Sequence, residues 1–128
     1  MEQNSTEELI RRFWSRMASN DFAHAAELFA PEFTLDWPQT NERIRGADAF
    51  VRINSDYPAQ GPWTFEIVDV LALREHGVSR VYVSDGARRD LAISYFLCAN
   101  SAIVRIVEYW PAPTSPGTDR AQWVERIE

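Results

Sequence analysis

The spacing of apolar residues changes near the middle of the chain, and this change is the strongest constraint on its fold. Over most of the first 57 residues, apolar side chains recur every three or four positions, as on one face of a helix. From Trp63 onwards they recur at every second position, as in strands. Short turns such as Glu75–Gly77 and Asp85–Gly86 divide this second half, and such turns join antiparallel neighbours. The sequence therefore predicts an α+β domain in which helices precede an antiparallel sheet.

Three helices and one short strand are predicted before Trp63. Ser5 is followed three residues later by Glu8, which matches a capping box and predicts the start of the first helix. Gly46 is predicted to open the third helix. Between them, Phe33–Trp37 is predicted as a short strand and Gln39–Arg45 as a polar loop. The whole chain, 1–128, is predicted to be one domain, with a core at about 5–111 and a tail at 112–128 that includes a short helix.

The composition excludes several classes of protein. All 13 basic residues are arginine, so mechanisms that need a lysine, such as Schiff-base chemistry or a phosphate-binding loop, are excluded. A net charge of −6 argues against binding to nucleic acid. Apolar runs are too short for a membrane span, and the polar start does not resemble a signal peptide. With one cysteine, two distant histidines and no glycine-rich loop, we expect a cytoplasmic protein without a metal or an organic cofactor.

The last predicted strand, Ile103–Pro111, carries a carboxylate between large apolar residues. Regular alternation predicts two faces, one with Val104, Ile106, Glu108 and Trp110 and the other with Ile103, Arg105, Val107 and Tyr109. A charge in such a setting lies at a rim, is paired, or serves a function. If the second face lies on a side of the sheet that no helix covers, its Ile103, Val107 and Tyr109 are too apolar for water, which predicts a homodimer formed through the sheets.

The element order and three stretches, Asp21–Phe33, Ile44–Gly46 and Ile103–Trp110, resemble the nuclear transport factor two-like fold. Within that fold the chain is most similar to the SnoaL-like, polyketide cyclase-like branch. The resemblance implies a cone-shaped curved sheet wrapped on three N-terminal helices, with an apolar pocket inside. It also implies that the Glu108 face of the last strand points into this pocket.

The resemblance implies a cofactor-independent acid/base enzyme, of cyclase, isomerase or lyase type, for a small and mostly apolar ring-containing molecule. Glu108 is the predicted catalytic residue, because SnoaL-like cyclases and epoxide hydrolase-like members both keep an acid near this position. The predicted substrate-binding residues are Trp14, Trp37, Tyr57, Trp63, Ile106, Trp110 and, as an anchor for an anionic group, Arg43. Most of these aromatic residues could equally be packing residues, as in any apolar core.

Other readings stay open, because the chain departs from known patterns of the fold. Ketosteroid isomerase-like members place acids or a tyrosine where this chain has Phe13, Trp37 and either Ile93 or Ala92, none of which exchanges protons. The segment Arg80–Tyr82 lacks the aspartate of epoxide hydrolase-like members. A non-catalytic ligand-binding or protein-interaction module is therefore one alternative, and an epoxide hydrolase-like enzyme is another.

Two environments are also open for Glu108. An unpaired carboxyl inside the pocket would have a raised pKa and could exchange protons near neutral pH. An ion pair with Arg43 or Arg45 would instead lower the pKa of Glu108 and make it a structural residue.

Overall fold

The computed structural model describes the backbone of residues 2–127 and the side chains of residues 6–127. Its helices are α1 (Glu2–Met17), α2 (Phe22–Ala26) and α3 (Ala47–Asp56). Its strands are β1 (Phe29–Trp37), β2 (Glu42–Arg45), β3 (Thr64–Leu73), β4 (His76–Ser84), β5 (Arg89–Ala99) and β6 (Ala102–Tyr109). The prediction of an α+β fold with three helices and a curved sheet is confirmed. No helix within residues 2–127 has the length and apolar character needed to cross a membrane.

The six strands form one sheet in the order β2-β1-β6-β5-β4-β3. Four of the pairs are antiparallel, but β1 and β6 run parallel, so the prediction of a wholly antiparallel sheet is wrong at this pair. The sequence turns predicted only the pairing of consecutive strands. They could not show that the first strand lies beside the last, because no turn joins those two strands. The sheet is therefore mixed, with β6 at its centre.

The segment predicted as the polar loop Gln39–Arg45 contains strand β2, which pairs with β1 through a tight turn. Of its four residues only Ile44 is buried, so the period of two is not visible in the sequence. At the other end of the helical half, α1 begins at Glu2, so Ser5 does not occupy the predicted N-cap. The capping hydrogen bond predicted for the Ser5 side chain falls outside the residues whose side chains the structure describes.

A bulge in β6 changes which residues face the core. Leu97 of β5 pairs with Arg105, but the next residue, Cys98, pairs with Ile103, so Val104 is an extra residue in the ladder. Ile103 is 0% exposed and lies with Ile106 in the core. The predicted assignment of Ile103 to the outer face is therefore wrong, because regular alternation cannot anticipate a bulge.

The outer face of the sheet still carries an apolar surface. We call Ile93, Tyr95, Val107 and Tyr109 the outer patch. Tyr95 is 53% exposed, and its ring packs edge-on against that of Tyr109, with the ring centres 6.4 Å apart. The tail beyond β6 is exposed and contains a short 3-10 turn, Ala121–Trp123.

The core lies between the inner face of the sheet and the three helices. The α1 stripe Leu9, Ile10, Phe13, Trp14 and Met17 is buried against β3 and β4. Phe13 packs edge-on against both Trp14 and Phe96, with ring centres 4.9 and 5.8 Å apart. This packing fills the space between α1 and the inner face of the sheet.

Candidate functional site

The cone encloses a cavity of about 480 Å³ between the helices and the inner face of the sheet. Its walls are largely aromatic: Phe13, Trp14, Trp37, Phe50, Trp63 and Trp110. At its mouth the lining side chains are polar and exposed: Gln39, Thr40, Glu42, Arg88 and Asp90. A volume of this size falls in the range of roughly 300–1,000 Å³ that is typical of small-molecule sites. The cavity therefore suits a ligand with an apolar body and a polar end.

Glu108 lies on the sheet wall of this cavity and is 6% exposed. Its Oε1 atom accepts hydrogen bonds from the indole N–H groups of Trp37, at 3.0 Å, and Trp110, at 3.1 Å. Its Oε2 atom accepts a hydrogen bond from the hydroxyl group of Ser94, at 2.8 Å. All three donors are neutral, so the carboxylate is hydrogen-bonded without a compensating positive charge.

The strand register brings these groups together. Glu108 lies opposite Ser94 on β5, and Ser94 lies opposite Ser79 on β4. The Ser79 hydroxyl group accepts a hydrogen bond from the indole N–H of Trp14, at 3.0 Å. On the other side of β6, Asp36 pairs with Val107, so Trp37, the next residue of β1, arrives beside Glu108. A row of polar groups thus crosses the inner face of an otherwise apolar sheet.

Burial raises the pKa of Glu108, because the charged form loses its hydration. The three hydrogen bonds act in the opposite direction, since each stabilises the carboxylate, but the effect of burial is larger. Among the hydrogen bonds of the described residues, none joins Glu108 to an arginine. Of the two environments considered from the sequence, the geometry is that of an unpaired carboxyl in a cavity.

Arg43 does not line the cavity, which corrects its predicted place as an anchor in the pocket. It lies opposite Asp36 in the β1–β2 pair and donates two hydrogen bonds to that carboxylate, at 2.6 and 2.9 Å. Arg105 donates a third, at 2.9 Å. The hydrogen bond from Arg43 is the main reason that the pKa of Asp36 is lowered. Both arginines are therefore engaged on the outer side of the sheet.

The structure brings most of the predicted site residues to one cavity: Trp14, Trp37, Tyr57, Trp63, Glu108 and Trp110. Ile106 is on the same strand face as Glu108, but it is 0% exposed and packs in the core below the cavity. Ile106 was predicted to bind the substrate, but it does not line the cavity. The roles of the lining residues in binding and catalysis stay predictions.

Sequence reasoning missed Arg88, which follows the Asp85–Gly86 turn at the cavity mouth. Its guanidinium carbon lies 5.4 Å from the ring centre of Tyr57 and 5.7 Å from that of Trp63. Its contact with Asp90, Nε to Oδ2, is 3.7 Å, longer than a hydrogen bond. Position in a turn carries no periodic signal, so nothing in the sequence indicated that this arginine faces the cavity.

Asp85 fixes the turn that carries Arg88. Its carboxylate accepts hydrogen bonds from the backbone N–H groups of Gln60, Ala87 and Arg88, at 3.0, 2.9 and 3.1 Å. These bonds lower its pKa to about 2. Because Gln60 belongs to the segment between α3 and β3, Asp85 connects that segment to the turn that carries Arg88.

Nucleophilic and metal chemistry have little support in the described residues. Cys98 is buried, and the resulting loss of hydration raises its pKa to about 11, so its thiol is neutral at pH 7. Within the part of the chain that the structure describes, no group of three or more His, Cys, Asp or Glu side chains is arranged to hold a metal ion.

Comparison with known proteins agrees with this architecture. The family model of the SnoaL-like domain matches residues 10–108. A protein from Kribbella flavida, named in its structure as a candidate ketosteroid isomerase, is 25% identical, with a TM-score of 0.90 over 99% of this chain and 93% of that chain. No curated protein matches the sequence.

Two further solved structures show the same fold at lower identity. A nuclear transport factor two-like protein of unknown function from Burkholderia xenovorans is 23% identical, with a TM-score of 0.82 over 100% of this chain and 99% of that chain. A candidate SnoaL-like polyketide cyclase from Jannaschia is 11% identical, with a TM-score of 0.72 over 85% of this chain and 87% of that chain. Together with the family match over most of its length, the cone and its aromatic cavity identify this chain as a member of the SnoaL-like domain family.

Proposed function

We propose that this protein is a cofactor-independent acid/base enzyme, of cyclase, isomerase or lyase type, that acts on a small, mostly apolar ring-containing molecule in the cavity. One observation carries the proposal. Glu108 is a buried carboxyl at the wall of an aromatic cavity, and its hydrogen-bond donors are neutral. Such a group changes protonation state at a pH closer to neutral than an exposed glutamate does.

The hydrogen bonds of Glu108 also favour one of its oxygens for proton transfer. A carboxylate oxygen has two lone-pair sites, and both sites of Oε1 receive an indole N–H group. Oε2 receives the Ser94 hydroxyl group and keeps one site free. In the proposed reaction, Oε2 takes a proton from the substrate and returns it at a second position. The bound ring is held against the tryptophan walls during both transfers.

The epoxide hydrolase-like alternative has less support. In that reading, Arg80 on the middle strand would help to activate water. Arg80 instead binds Asp69 on the neighbouring strand, with Nε and Oδ1 3.1 Å apart, and it is not a lining residue of the cavity. A water-activating set around Glu108 is therefore not assembled from these residues.

One observation supports the alternative of a non-catalytic ligand-binding module. Ala92 and Ile93, at the position where ketosteroid isomerase-like members carry an acid, cannot exchange protons, and Ile93 belongs to the outer patch. Glu108 would therefore have to carry out both proton transfers. The experiment that tests catalysis must separate binding from turnover.

Deuterium exchange makes that separation. Ring ketones such as 1-indanone carry acidic C–H groups next to the carbonyl, and an acid/base site exchanges them with D₂O, which NMR detects. We expect the wild type to accelerate this exchange and Glu108→Gln to lose a factor of about 100 or more. Glu42→Gln is the matched control, because it removes one charge from the exposed mouth of the same cavity.

Two results would oppose catalysis by Glu108. Full exchange activity in Glu108→Gln would exclude it as the acid/base group. Binding of a panel of ring ketones without any exchange by the wild type would favour the ligand-binding module.

A further inference from the structure

The cavity wall contributed by α3 includes a polar side chain where its pattern calls for an apolar one. Phe50, Ile53 and Asn54 have the spacing of one face of α3, and they line the cavity together with Tyr57, the residue directly after this helix. Three of these are large and apolar or aromatic, whereas Asn54 carries an amide group. A polar side chain on the inward face of a helix is the informative exception to the usual sorting of residues.

One hydrogen bond fixes the orientation of this amide. The Nδ2 atom of Asn54 donates to the backbone carbonyl of Phe50, one helical turn earlier, at 2.8 Å. Since that carbonyl can only accept, the NH₂ end must face it, and the assignment of oxygen and nitrogen is not arbitrary. Among the hydrogen bonds of the described residues, this is the one that the Asn54 side chain makes. The Oδ1 atom and the second N–H therefore have bonding capacity left at the cavity wall.

Asn54 and Glu108 belong to different layers of the cone. Asn54 is part of the helical layer, where α3 packs on α2, β1 and β2, whereas Glu108 is on the central strand of the sheet. Both line the same cavity, and the surfaces between them are mostly aromatic. A ligand that fills the cavity would meet one neutral amide on the helical side and one carboxyl on the sheet side.

We infer that Asn54 is a specificity-determining residue that binds an oxygen atom of the ligand, so that the site selects ring compounds bearing a carbonyl or hydroxyl group. This inference rests on the proposed function in so far as the cavity must take a ring-containing ligand. It adds that Asn54 is half-buried in the free protein, so a ring that covers its amide without offering an oxygen would bury an unpaired polar group, which disfavours binding. The amide can donate to a carbonyl and can accept from a hydroxyl.

The test compares two ligands of nearly the same shape, 1-indanone and indane, which differ by the carbonyl oxygen. Binding of each is measured by NMR titration of ¹⁵N-labelled wild type, Asn54→Leu and Ile53→Leu. Leucine is close to asparagine in size and favours helix, so the first variant removes the amide with little change of shape. Ile53→Leu is the matched control, since it alters the same wall and keeps its volume and polarity.

For Asn54→Leu we expect the affinity for 1-indanone to fall by about 2- to 10-fold, the effect of one neutral hydrogen bond. The affinity for indane should stay the same or increase. Ile53→Leu should change both affinities by the same factor. In the wild type, the Asn54 side-chain amide signals should shift with 1-indanone more than with indane.

Each other outcome has a definite meaning. One such outcome is that both ligands shift the cavity tryptophan signals while Asn54→Leu lowers the affinities for 1-indanone and indane by the same factor. In that case Asn54 is not a specificity residue, and the proposed ligand site stands. If neither ligand shifts those signals in the wild type, both proposals fail. A clearly lowered melting temperature in Asn54→Leu would also overturn the inference, because it would make the amide a structural group.

Discussion

The substitution Glu108→Gln separates the cost of the buried charge from the value of its hydrogen bonds. Glutamine keeps a carbonyl oxygen that can accept from the indole groups of Trp37 and Trp110. Its NH₂ group then faces the Ser94 oxygen, which can accept because the hydroxyl group rotates. The three contacts can therefore persist while the titrating charge disappears.

Two opposing terms decide the stability of this variant. Hydrogen bonds to a charged acceptor contribute about 1.5–3 kcal/mol each and neutral ones about 0.5–1.5, so neutralising the acceptor of three bonds loses roughly 3–4.5 kcal/mol. Against this, removing an ion from a buried site recovers several kcal/mol. The raised pKa of Glu108 indicates that the second term is the larger one. We expect the free energy of unfolding of Glu108→Gln at pH 7 to equal or exceed that of the wild type.

The pH dependence of unfolding independently checks the sign of the stability difference between Glu108→Gln and the wild type. The folded pKa of Glu108 lies above the unfolded value of about 4.3, so the folded wild type binds the proton more tightly than the unfolded chain. Wild-type stability therefore falls as the pH rises from about 4 through the folded pKa, by about 1.4 kcal/mol for each unit by which the pKa is raised. Glu108→Gln lacks the titrating group and this loss of stability, so its free energy of unfolding relative to that of the wild type should increase with pH.

Urea unfolding followed by circular dichroism at pH 5 and pH 8 measures this difference. Glu42→Gln is the control, because it removes a carboxylate from the exposed mouth of the cavity. Glu42→Gln should not gain stability in the way expected for Glu108→Gln, because the exposed Glu42 side chain has kept its hydration in the folded protein. Destabilisation of Glu108→Gln by more than about 1 kcal/mol at pH 7, a threshold set by one neutral hydrogen bond, would refute the reasoning. A constant gap between pH 5 and pH 8 would refute it as well.

Three further predictions concern other parts of the molecule. In ¹H–¹⁵N spectra the indole signals of Trp37 and Trp110 should titrate together with the pKa of Glu108, whereas that of Trp123, 78% exposed in the tail, should not move. Light scattering at micromolar concentration should give twice the chain mass of 14.7 kDa, and Tyr95→Arg in the outer patch should give the single mass; a monomeric wild type would contradict the homodimer. Asp85→Asn should lower the urea midpoint at pH 7. The turn hydrogen bonds hold the pKa of Asp85 below its unfolded value of 3.8, so they stabilise the fold when the pH is above that value. This difference should shrink as the pH falls towards about 2, and an unchanged midpoint at pH 7 would count against the turn bonds.

Features with a regular repeat could be predicted from the sequence. The helical stripe around Phe13 and the alternation around Glu108 are local patterns, and each indicates the type of element that contains it. The cavity position of Glu108 also needed the family resemblance, since alternation separates two faces but does not say which is inside. These two kinds of information together located the candidate site.

Features that depend on contacts between distant segments could not be predicted. The bulge at Val104 is visible only in the register of two strands. Arg43 was predicted to lie in a polar loop and to anchor an anionic group in the pocket, but its segment is strand β2, which pairs with β1 and directs Arg43 to Asp36. Asn54 did leave a signal, as the polar member of the α3 stripe, and the helix pattern alone could have found it.

The central position of β6 determines when the cavity can form during folding. β6 lies between β1 and β5, and the Trp37 indole group donates to an acid that is 71 positions later in the chain. Until β6 is inserted, the β1–β2 hairpin and the β3–β5 meander are two separate sheets, each with an unpaired edge that can associate with other chains. On the ribosome, the α1–α3 segment and both partial sheets therefore emerge before the carboxylate and its donors can meet. The step that completes the sheet is also the step that forms the cavity around Glu108, so slow insertion of this strand would delay formation of the cavity and prolong the period in which the chain is prone to aggregate.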